Sequence, residues 1–245
     1  MNSTIFWLTL RQLLGRRRMA LVILLAALPA LVAIVYRLGS QDTEAEQWTA
    51  NTLMDGLIVT TLLPLVALIF GTAALGAEIE DGTAVYLLSK PVSRRTVIAS
   101  KLLPAWLLTV ALVAGSAAIS GIIALGGSDD QAVVRGFIAA LVLGSFAYTA
   151  LFVLLSVTIS RALIAGLVYV FVWEGVVTQL FAGTRFLSIR QYALGVADLF
   201  SHASSQTFAP ELGGTVSLVL IIGVSAVAVA FAVWRLQSFE IGESA

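Results

Sequence analysis

The chain has 245 residues, 59% hydrophobic and 11% charged, with a mean hydropathy of +0.99. A soluble domain carries roughly a quarter charged residues, so this composition predicts an all-α polytopic membrane protein rather than a soluble fold. Fourteen basic and fourteen acidic residues leave no net charge to attract nucleic acid, and the absence of cysteine excludes disulfides and thiolate metal sites.

Ser3 is placed to cap a helix over residues 4–14, with Phe6, Leu10 and Leu13 on one side and Arg16, Arg17 and Arg18 at the headgroup level beyond it. Two readings of this stretch stand, an interfacial helix and a basic tail that only fixes topology; its Leu, Phe and Trp content favours the helix. A span needs about 20 mostly apolar residues. Six runs qualify, at approximately 19–37, 53–77, 102–126, 133–158, 162–182 and 213–234, within one transmembrane domain over 1–245. The first run is too long for the apolar core of a signal peptide and has no small-residue cleavage site after it. Pro29, Pro64 and Pro104 fall inside these runs, where neighbouring helices can satisfy the carbonyls they free.

The densest charge lies between the second and third runs, in EIEDGTAVYLLSKPVSRRTVIASK, Glu78 to Lys101. Gly82 ends the second span, and Asp81 or Thr83 can cap a short helix over 84–89 that sets Val85 and Leu88 on one face. Pro91 stops that helix, and Ser93 caps the third span, whose first turns carry Arg94, Arg95 and Lys101. Glu78, Glu80 and Asp81 are available to Lys90 and Arg94 or to a partner's basic groups. One reading is a solvated loop. The other is a short helix tied to two spans, which explains why Val85, Tyr86, Leu87 and Leu88 stand together. With the N-terminus inside, ten Lys and Arg fall on the cytoplasmic side and four (Arg37, Arg135, Arg185, Arg190) outside. Six spans then return the C-terminus to the cytoplasm.

Beyond the fourth span, YVFVWEG (Tyr169 to Gly175) places Glu174 twelve residues into the fifth. That is about 18 Å into a core roughly 30 Å thick. An acid there costs a few kcal/mol unless something offsets it. Either Glu174 forms a structural hydrogen bond, with Trp173, Thr178, Gln179 and Arg185 nearby, or it lines a transport path. Residues 183–212 are too polar to span and too apolar for a free loop, which suits short amphipathic helices in the outer leaflet with a turn at 201–207. AGSAAISG (Ala114 to Gly121) and IGVSAVAVA (Ile222 to Ala230) space small residues for close helix packing, within one subunit or between two.

The run Gly82-Thr83-Ala84-Val85-Tyr86-Leu87-Leu88-Ser89-Lys90-Pro91-Val92-Ser93-Arg94 resembles the cytoplasmic loop of type-2 ABC transporter permeases. YVFVWEG and LSIRQYALG (Leu187 to Gly195) resemble further pieces of that family. The resemblance implies that the loop is a coupling helix docking in a separate ATPase subunit, with Glu78, Glu80, Asp81 and the residues from Gly82 to Arg94 at that contact. It also implies an N-terminal connecting helix, outer helices between spans five and six, and two permease subunits, identical or paralogous, with the path between them. No G-x-x-x-x-G-K-[ST] loop occurs, so ATP and Mg belong to the partner, and the chain holds no cofactor or catalytic residue of its own.

An intramembrane metalloprotease would need H-E-x-x-H, and His202 is the single histidine. A secondary transporter usually shows several intramembrane ionisable groups, and Glu174 stands out as the one clear acid within a span. The reading is a permease subunit of an ABC exporter in the cell membrane, handling amphipathic or hydrophobic cargo. The alternatives are a secondary transporter or a non-transporting membrane partner of an ATPase.

Overall fold

The computed structural model describes residues 3–39, 45–80, 92–126, 132–201 and 210–238, with Ala77, Glu80 and Ala182 described as backbone only. Eight helices follow in order, and no strand occurs among these residues. Helix α1 is Ser3–Leu13 and α2 is Arg16–Gly39. Helix α3 begins as Ala45–Trp48, widens to a π-helix over Thr49–Leu62 and finishes as Leu63–Glu80. Helices α4 (Arg94–Leu125) and α5 (Ala132–Thr158) follow. Helix α6 runs as Ala162–Val168, a π-helical Tyr169–Val177, and Thr178–Leu180. A 3-10 segment, Ala182–Leu187, leads into α7 (Ile189–Ser201), and α8 is Gly214–Gln237. Six of these helices, α2 to α6 and α8, are long and apolar enough to cross a membrane.

Burial separates the centre of this bundle from its rim. In the most apolar window of each helix, 67% of α3 and 56% of α5 are buried, against 17% of α2 and 22% of α6. Helix α5 is the hub, packing against α3, α7, α8 and α4, while α2 lies along α4. Small residues permit the closest approaches. A Cβ on Gly71 would lie 2.8 Å from Cβ of Phe152, so α3 and α5 touch nearly backbone to backbone there. On Gly136 it would lie 2.5 Å from the carbonyl oxygen of Ala197, which holds α7 hard against α5. In lipid such packing replaces the hydrophobic drive between helices.

The ends of the spans differ from the hydropathy reading for physical reasons. Helix α4 begins at Arg94, a full two turns before the apolar run, because Ser93 caps it: the Ser93 hydroxyl accepts from the Thr96 amide at 3.3 Å. It ends at Gly126, whose φ of 63° is the left-handed C-cap geometry that glycine adopts freely. Helix α3 starts at Ala45, where Trp48 stacks on Tyr36 with ring centroids 3.7 Å apart and joins the end of span one to the start of span two. Pro29 sits within α2, and the Ser116 hydroxyl of α4 donates to the Ala26 carbonyl in the turn before it at 2.6 Å.

In α1 the buried row is Ile5, Thr9 and Leu13, with Phe6 and Leu10 only half-buried. The helix rests on α4 through that row and leaves Trp7, Leu8 and Leu14 outward. The stripe AGSAAISG packs inside the chain through Ser116, Ala117, Ser120 and Gly121. Between spans five and six a short 3-10 turn leads into α7, a 13-residue helix that buries Ile189 and Tyr192 to Ala197 against α5 and α8. Of the predicted turn at 201–207, only Ser201 lies within the described residues.

Candidate functional site

The charged segment between spans two and three falls largely outside the described residues: Asp81, Gly82, Thr83, Val85, Tyr86, Leu87, Leu88, Lys90 and Pro91 all lie there. Its two ends are described. Glu78, in the last turn of α3, forms an ion pair with Lys101 of α4. Lys101 is 2% exposed, and the Glu78 side chain about a quarter exposed at 24%. Lys90, one of the partners that the sequence offered to the acids, lies outside the described residues. Glu78 reaches across to a lysine seven residues into α4, on the face that meets α3. The two helices that carry the segment are thereby clamped where they receive it.

Glu174 lies in the π-helical part of α6 and is 4% exposed. The buried residues of α6 form a single row, Ala162, Gly166, Val170, Glu174 and Thr178, so Glu174 faces the bundle and not lipid. Its Oε1 accepts from the Tyr169 hydroxyl at 2.9 Å, the Ile189 amide at 2.9 Å and the Tyr148 hydroxyl at 3.2 Å. Its Oε2 accepts from the Ser188 hydroxyl. Those donors come from α5, α6, and the start of α7. Ser188 also caps α7, accepting from the Gln191 amide at 3.3 Å. The carboxylate therefore sits at a helix N-terminus, where amides point outward unsatisfied and the dipole favours negative charge. For Ser188 and Ile189 to reach Glu174, the chain beyond Leu180 must turn back toward the middle of the span. Irregular backbone at that depth is stable only where protein covers it, and Ser188 is fully buried.

The neighbours that sequence proximity suggested serve other atoms. The Thr178 hydroxyl donates to the Glu174 main-chain carbonyl at 2.8 Å. Trp173 donates from its indole to the Leu187 carbonyl at 3.4 Å. Arg185 reaches inward to the Thr178 carbonyl at 3.2 Å and pairs with Glu211; that hydrogen bond holds its guanidinium pKa above the ordinary value. Tyr192, on the next turn of α7, donates to the Phe186 carbonyl, and burial followed by the nearby Glu174 charge pushes its phenol up.

A second acid within a span was missed by sequence reasoning. Asp55 lies in the π-helical part of α3 and forms a bidentate pair with Arg190 of α7, at 2.8, 3.1 and 3.2 Å. Its side chain is 19% exposed and that of Arg190 16%. The signal was its place inside the second apolar run; its partner stands 135 residues away and no local pattern announces it. The widened i to i+5 bonding is visible where the Leu63 amide donates to Ile58 and the Thr60 hydroxyl to the Asp55 carbonyl at 2.8 Å. Such helices are uncommon and cluster at functional positions. Here both π-helical segments deliver an acid to three consecutive residues, Ser188, Ile189 and Arg190. Spans two and five are thus pinned to one end of α7.

Among the described residues no cluster of His, Asp and Glu could hold a metal ion. No curated protein matches the chain. A family model described as "ABC-2 family transporter protein" matches residues 14–181, which takes in spans one to five and the whole charged segment between spans two and three. With six helices fit to span a membrane and a match over more than half its length, the chain belongs to the ABC-2 family of transporter proteins, as a membrane permease subunit of type-2 ABC architecture.

Proposed function

We propose that this permease is half of an exporter's membrane path and takes its motion from a separate ATPase docked on the cytoplasmic segment around 78–94. ATP and Mg are bound and turned over on that partner, and a second permease, identical or paralogous, completes the path. Both termini lie in the cytoplasm. The observation that carries the reading is the Glu78–Lys101 pair. A push on a loop between two independent helices would be absorbed by the loop. Here the ends are joined by a largely buried ion pair, so force on the segment moves α3 and α4 as one body. Spans one and five are the least covered and leave the broadest apolar surface for a second permease. Four donors of the chain itself occupy both carboxylate oxygens of Glu174, which supports an anchoring role.

Leu88→Asp tests the coupling. A charge forced into an apolar docking cleft without a partner costs several kcal/mol. The variant is expected to insert normally but lose both co-purification with the ATPase and ATP-dependent export. Unchanged complex formation and export would overturn the assignment.

A further inference from the structure

One groove belongs to neither site above. It is open, about 770 Å³ in volume, and lies between α8, the middle of α5 and the first turns of α4. One face of α8 forms its floor from Ile221 to Gln237. At 1.5 Å per residue those sixteen steps extend about 24 Å, longer than the acyl layer of one leaflet, which is half of a roughly 30 Å core. Small side chains (Ala99, Ser225, Ala226, Ala230) keep the floor low, and Phe146 and Trp234 stand along its edge.

The Ser225 hydroxyl, midway along the floor, is spent on the Ile221 carbonyl at 2.6 Å. The other polar groups gather at one end, where α4 begins and α8 ends: the Arg95 guanidinium, the Gln237 amide and the Trp234 indole. Arg95 and Trp234 are exposed, and Arg95 makes no ion pair among the described residues. Arginine and the indole N–H are donors only, and no acidic residue lines the groove. An apolar trough of acyl length ending in hydrogen-bond donors and a positive charge matches one chemistry: a hydrocarbon chain with an anionic head.

We infer that this groove is a binding site for an anionic phospholipid, one acyl chain lying along α8 and the phosphate held at Arg95 and Gln237. The site needs only a membrane around the bundle and stands apart from the ATPase-coupled reading. Arg95 lies in the first turn of the helix that carries Lys101, so a lipid held there touches the element that receives the charged segment.

The test is native mass spectrometry of the full-length permease transferred from vesicles of phosphatidylglycerol and phosphatidylcholine in equal amounts. The wild type is expected to retain one phosphatidylglycerol per chain in preference to phosphatidylcholine. Arg95→Gln, at an exposed position, is expected to lower that retention about fivefold, the worth of one basic residue at a charged membrane surface. Ala226→Trp, which fills the floor, is expected to lower retention of both lipids. Equal retention of the two lipids by the wild type would overturn the site, as would unchanged retention in both variants. A loss of self-association in Ala226→Trp with lipid retention intact would overturn it in favour of a second copy as the occupant.

Discussion

Glu174 shows how a single acid is made tolerable at membrane depth. An unpaired carboxylate there is costly, yet this one accepts from two phenols, a serine and a main-chain amide. Replacement by alanine strands those donors in a buried place, at roughly 1–3 kcal/mol for each one left without an acceptor. Glu174→Ala is therefore expected to lower the thermal midpoint of the detergent-purified permease markedly and to abolish export. Glutamine keeps one carbonyl for the three donors on Oε1 and turns its amide to the Ser188 hydroxyl, which can accept. Glu174→Gln is expected to unfold near the wild-type temperature and to export at close to the normal rate. A stable Gln variant with lost export would place the charge itself in the transport path.

At the scale of elements, α3 is fastened toward each of its ends by an ion pair to a different helix. Near one end Glu78 pairs with Lys101 of α4; toward the other Asp55 pairs with Arg190 of α7. Removing one partner leaves the other charge buried alone, which costs more than removing both. Glu78→Gln is expected to destabilise by about 2 kcal/mol through the stranded Lys101. Adding Lys101→Met should recover most of that stability, as read by thermal unfolding. Recovered stability should not restore export, because the two spans are then no longer clamped. Full export by the double variant would show that the pair transmits nothing. These pairs also mark what sequence could and could not disclose. Six apolar runs, the Ser93 cap and the isolated depth of Glu174 were legible, because hydropathy and capping are local. The partner of Glu78 lay on a different helix, and Asp55 was read as part of an apolar run because its neutralising arginine is far along the chain. The π-helical turns were invisible, since a shift from i+4 to i+5 bonding leaves no mark in composition.

For the whole molecule, the arrangement of spans requires that the segment around Arg94 and the connection between spans three and four lie on opposite sides. The absence of cysteine makes single-cysteine labelling a clean readout of side. In intact cells Ser128→Cys is expected to react with an impermeant thiol reagent and Ser93→Cys to react only after lysis. The opposite pattern would invert the molecule and put the family's coupling segment where no ATP is available. Burial fits the same division of labour at this scale. Helices α3 and α5 form a fixed centre joined by close backbone contacts, whereas α2 and α6 at the rim hold on by narrow rows of side chains.

The donors around Glu174 also carry an order in time. Tyr148 and Tyr169 precede it in the chain, while Ser188 follows by 14 residues and Ile189 by 15. At translation rates of roughly 5–20 residues per second, the later pair emerges about one to three seconds after the acid. When Glu174 is made, the phenols that bond it, one on its own helix and one on span four, already exist in the chain, and the Ser188 and Ile189 donors that close its shell do not.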